Sequence, residues 1–125
     1  MGKIQRRRYD LEAFTSPTQT VKEDFELDKH VTRVRGILLT SDRDDQLYHR
    51  ATVQILINGE EVIPDEYHAK LLMSGLGVAP KDRYLPLDLE PGNGIVKVAV
   101  TDNENPALAF SAYTVSVYLE TIIEQ

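Results

Sequence analysis

Three histidines, an acid-rich loop, two adjacent glutamates and one glycine-flanked serine are the side chains of this 125-residue chain whose types invite a chemical reading. A zinc site needs several ligands that converge. His30, His49 and His68 lie far apart in sequence, none has an acid and a second histidine at ligand spacing, and the paired His-x-His of a cupin barrel is missing. Asp42, Asp44 and Asp45 offer carboxylate oxygens of the kind a hard cation takes from a flexible loop. The EF-hand spacing fails, because Val53 stands where the bidentate glutamate belongs and no glycine marks the sharp turn. The loop is read as solvated, with Arg43 between its acids. Ser74 has glycine on one side only, unlike a nucleophile elbow. Gly75 and Gly77 are too few for a phosphate cradle, and no Lys-Ser/Thr pair follows them. Glu60 and Glu61 would point to opposite faces of a strand, the wrong arrangement for an acid and a base. With no cysteine in the chain, thiolate nucleophiles and disulfides drop out as well. The expectation is a non-enzymatic protein with no catalytic residue, metal or cofactor.

One asymmetry does carry functional weight. Lys3, Arg6, Arg7 and Arg8 are opposed within the first ten residues only by Asp10, giving 4 − 1 = +3, whereas residues 11–125 carry 10 − 19 = −9. The net charge of −6 argues against nucleic-acid binding by the body of the protein, so nucleic acid is expected only through this basic segment. The planar guanidinium suits carboxylate or phosphate on a partner. Interleaved apolar residues would add anchoring that an electrostatic tail does not need. The expected partner-binding set is Lys3, Ile4, Arg6, Arg7, Arg8, Tyr9, Leu11 and Phe14.

The elements behind these residues read as β structure. Residues 1–19, ending in the turn-rich "TSPTQT", form a basic N-terminal arm, and residues 20–125 form one β-sandwich domain. Val21, Phe25 and Leu27 share a face. "VTRVRGILLT" is β-rich and is interrupted by Gly36, where a bulge or close approach is expected. "SDRDDQ" is a polar loop, and "TVQILI" is a strand closed by Asn58-Gly59, a type I′ hairpin signal. The return strand stops at Pro64, "YHAKLLM" fits either strand or helix, and Pro86 marks an edge strand. Val53, Ile55, Ile57, Ile95, Val98, Val100, Val115, Val117 and Leu119 are the expected core, with Tyr113 on the same face of the last strand. About eight short strands separated by turns, with hardly any helix, predict an all-β antiparallel sandwich, jelly-roll-like. No apolar run approaches the length of a membrane span, and the N-terminus lacks the apolar stretch of a signal peptide.

This layout resembles the single jelly-roll virion proteins of icosahedral viruses and phages. The resemblance is carried by the arm at 3–19, the strands from 21 to 122, "RYLPLDL" followed by "PGNGIVKVAV", and the final "AYTVSVYLE". It implies a capsid, vertex or decoration subunit, made in the host cytoplasm and located in the virion. Its partners would be copies of itself and other shell proteins, in a homo-oligomer, with the arm as a tether. The alternative is a ligand-binding sandwich, most readily for carbohydrate. Sugar platforms usually present flat aromatic rings. The chain has no tryptophan, leaving Tyr48, Tyr67 and Tyr84 as the rings to present.

Overall fold

A computed structural model describes residues 2–74, 78–79 and 82–124. Gly75 and Gly77 lie outside the described residues. Eight strands run β1 Gly2–Asp10, β2 Thr20–Glu26, β3 Val31–Ser41, β4 Ala51–Ile57, β5 Glu60–His68, β6 Leu85–Leu89, β7 Ile95–Asp102 and β8 Val115–Glu124. A short helix α1, Asp44–Arg50, precedes β4, and a 3₁₀ turn, Ala69–Leu72, follows β5. The strands form two four-stranded antiparallel sheets, ordered β1-β8-β3-β6 and β2-β7-β4-β5. The pairings nest: β1 with β8, β2 with β7, β3 with β6, and the hairpin partners β4 and β5 innermost. Such nesting arises when one long antiparallel ribbon folds over on itself.

The period-2 pattern of the sequence sets the register. Val115, Val117 and Leu119 of β8 turn inward against Val53, Ile55 and Ile57 of β4 and Val96, Val98 and Val100 of β7, all nearly inaccessible to solvent. Ile95 is the one expected core residue that departs from this set. It lies half-buried on the outer face, because Val98 and Val100 share their parity with Val96 rather than with Ile95. Asn58 and Gly59 have φ of 56° and 74°, the two positive values a type I′ turn requires. Asn58 also reaches a second turn, where its Oδ1 accepts from the Asn93 N–H at 3.0 Å. At Gly36 the register shifts, and a Cβ there would lie 2.9 Å from that of Tyr84, so both expected features coincide.

Three elements differ from the sequence reading. The polar loop is helical from Asp44, with two acids in its first turn and His49 and Arg50 in its last, the arrangement a helix dipole favours. Its buried residues are Gln46, Leu47 and Arg50, which lie on one face. Pro64 does not end β5. The strand continues to His68 through a bulge in which Pro64, Asp65 and Glu66 oppose Gln54 alone, with Glu66 at φ 64°. Finally, residues 2–10, expected within a basic N-terminal arm tethering the chain to a partner, are strand β1, paired with β8 of the same chain along its whole length.

Candidate functional site

In β1 the expected partner-binding residues divide by register. Lys3, Arg7 and Tyr9 share a face with Ile123, Leu119 and Val117, the inward side of β8, while Ile4, Arg6 and Arg8 look outward. Tyr9 packs on Phe25 of β2 with ring centroids 4.9 Å apart. Its phenol is pushed up by burial, with Arg7 opposing and Asp28 adding to the shift. Arg6 pairs with Glu120 at 2.8 Å and lies 5.7 Å from the centre of the Tyr84 ring. Arg8 pairs with Asp10 at 3.2 Å. Ile4 is half exposed.

Leu11 and Phe14 are placed otherwise. They are 5% and 0% exposed and belong to the hydrophobic core, so they anchor this chain's own fold rather than a partner. Phe14 bridges to Tyr113 by backbone pairing and stacks on its ring at 4.7 Å. The sequence hid this because three consecutive arginines mask the alternation of β1, and "TSPTQT" is the crossover between sheets.

The strongest electrostatic feature was not foreseen. Arg50 and Asp102 form a bidentate ion pair at 3.0 and 2.9 Å, almost entirely removed from solvent. Every remaining group there has a partner. Asp102 also accepts from the Thr18 N–H and the Tyr113 hydroxyl, and Arg50 donates to the Leu108 carbonyl. Burial opposes ionisation of Asp102, but the bonds from Arg50, Thr18 and Tyr113 outweigh it and hold the carboxyl below its ordinary range. Burial pushes the Tyr113 hydroxyl far up, and its bond to the carboxylate adds to this. Gln46 works alongside, donating to the Ala109 carbonyl and accepting from the Ser111 N–H. The network binds the crossover, α1 and the β7–β8 loop together. Its hydrogen bonds tie these segments to one another.

Two clefts have His49 of α1 in their walls. One is lined by Asp44, Asp45, Tyr48, His49, Lys70 and Met73, with Tyr48 48% exposed and the Lys70 ammonium 5.8 Å from its ring centre. Of the other tyrosines considered, Tyr67 and Tyr84 are half-buried. The second cleft brings His49 and His68 together with Glu66 and Glu104, although the histidines are remote in sequence. Among the described residues no group of three His, Asp or Glu side chains is placed to hold a metal ion. Asp42, expected in a solvated loop, accepts the Thr114 N–H at 2.8 Å, which lowers its pKa. Among the described residues no helix is long and apolar enough to cross a membrane.

Comparison with protein-family models, curated proteins and solved structures finds no match to this chain.

Proposed function

We propose that the protein is a non-enzymatic structural subunit of a viral or phage particle, of capsid, vertex or decoration type, that works by packing against copies of itself and other shell proteins. The observation that supports this reading is the nested pairing of the strands into the orders β1-β8-β3-β6 and β2-β7-β4-β5. In this reading the winding is that of a jelly roll, an architecture used by viral shells. Fold alone does not fix function, so the chemistry of the surface must decide. The buried ion pair is committed to structure, whereas β1 carries a basic rim at an open sheet edge. In this reading β1 takes the tethering role assigned to the arm, as a fixed strand rather than a free tail.

Native mass spectrometry across a concentration series tests the proposal, with electron microscopy of the products. Discrete higher-order assemblies of the pure protein, or its recruitment to a shell, are the expected result. A chain that stays monomeric and joins no particle would end the reading. Tyr48 supports a second reading, since an exposed ring beside Asp44, Asp45 and His49 is suited to a sugar. A glycan array with wild type and Tyr48→Ala distinguishes it.

A further inference from the structure

We propose that one flank of the sandwich is self-complementary, so that two copies pair about a twofold axis with the basic β1 of each facing the acidic β2 of the other. The pairing deepens the structural-subunit reading by naming a surface, and it rests on that reading only for its place in a larger particle.

The two strands share a flank. Each is the terminal strand of its own sheet, and the Tyr9–Phe25 ring contact at 4.9 Å places one edge above the other. Their charges are opposite. β1 carries Lys3, Arg6, Arg7 and Arg8 against Asp10, or 4 − 1 = +3, and β2 carries Lys22 against Glu23, Asp24 and Glu26, or 1 − 3 = −2. A half-turn about an axis lying in the plane of contact and parallel to the strands sets β1 of each copy opposite β2 of the other, so the opposite charges meet twice. That is the condition for a closed isologous contact. Like charges meanwhile reject β1–β1 and β2–β2 pairing.

Three further observations favour a second copy as the occupant. First, the opposite edges are defended against strand pairing. β5 carries a bulge at Pro64 and Glu66, and β6 carries Pro86. β1 and β2 contain no proline, and their registers run unbroken over nine and seven residue pairs. Second, among the described residues Lys3, Arg7, Glu23, Asp24 and Glu26 make no ion pair within the chain. Third, Tyr9 and Phe25 are half-buried and lie between the two charged strands, which places them near the axis. An aromatic centre with a charged rim is the usual anatomy of a protein interface.

A charge-exchange experiment tests the pairing. One variant carries Lys3→Glu, Arg7→Glu and Arg8→Glu, and the other carries Glu23→Lys, Asp24→Lys and Glu26→Lys. Each alone places like charges across both halves of the interface and should raise the dimer Kd more than about tenfold. Mixed in equal amounts, the two variants should form a heterodimer about as tight as the wild-type dimer, with melting temperatures of the parents confirming that both fold. Wild-type association should also weaken as salt rises, because the rim is exposed. A mixture as monomeric as its parents overturns the proposal, and so does a wild type that remains monomeric at millimolar concentration. Shells that form without this interface leave the structural-subunit reading standing and remove only the flank. A dimer that never builds a particle does the reverse.

Discussion

Arg50 and Asp102 are joined by two hydrogen bonds of 3.0 and 2.9 Å, with their side chains 2% and 0% exposed. A pair so fully removed from water is weak evidence of net stabilisation, since desolvating both charges offsets most of their attraction. Removing one partner is different in kind, because the other charge is left buried and alone. Asp102→Ala is therefore expected to cost about 3–5 kcal/mol. Tyr113→Phe deletes one hydrogen bond and keeps the ring stacked on Phe14, so about 1–2 kcal/mol is expected. Urea unfolding followed by circular dichroism gives both values. Equal losses in the two variants would mean that the ion pair does not organise this end of the sandwich.

The same network contributes to both limbs of the pH profile. The folded pKa of Asp102 lies below its unfolded value, so its contribution is present above about pH 4 and is lost as pH falls through the folded value. Tyr113 has the opposite sign. Its folded pKa lies above the unfolded value of about 10, so its contribution holds below that pH and declines as pH rises past it. Melting temperature should be nearly flat from about pH 5 to 9 and fall on either side. In Tyr113→Phe the alkaline decline should diminish. A variant that keeps the full decline would assign it to other groups.

Asn58 couples two turns at one end of the sandwich. It holds φ at 56° within the β4–β5 hairpin and accepts the Asn93 N–H of the turn before β7. Asn58→Ala loses that bond and places a residue with no local polar compensation in the left-handed region, so about 1–3 kcal/mol of destabilisation is expected. Asn58→Gly relieves the backbone and should lose less. If the two variants are equally unstable, the side-chain bond outweighs the conformation.

What could be read from the sequence follows from period and turn chemistry. Val53, Ile55 and Ile57 alternate cleanly, and Asn58-Gly59 leaves few alternatives to a tight turn, so this hairpin was legible. Pro86 likewise marked β6 as an edge, because a proline cannot donate to a ladder. Helix α1 was hidden, since seven residues rich in Asp, Arg and Gln resemble a loop until Leu47, Gln46 and Arg50 are seen to share a buried face. Arg50 and Asp102 were illegible for another reason. Fifty-two residues separate them, and a buried ion pair leaves no local pattern in either the helix or the strand that carries it. The basic segment was recognised by its charge, but charge reports only that a side chain reaches water, which an edge strand satisfies as well as a free arm.

That distinction yields a separable outcome for the N-terminus. Deleting residues 1–19 would remove β1 together with Leu11 and Phe14, exposing the flank of β8 and emptying part of the core. Unfolding or aggregation is expected, and Phe14→Ala alone should cost about 3–5 kcal/mol. Changing Arg6, Arg7 and Arg8 to Ala touches only exposed charges, of which the Arg6–Glu120 pair at 2.8 Å is the best placed. A partly exposed pair contributes about 0–1 kcal/mol, so the melting temperature should move by only a few degrees. Self-association measured by native mass spectrometry should nevertheless fall in this triple variant. If nucleic acid were the partner instead, the variant would flatten a steep dependence of nucleic-acid binding on salt, because neutralising fewer phosphates releases fewer counterions. A truncated chain lacking residues 1–19 that melts cooperatively near the wild-type temperature would contradict the placement of β1 within the sheet.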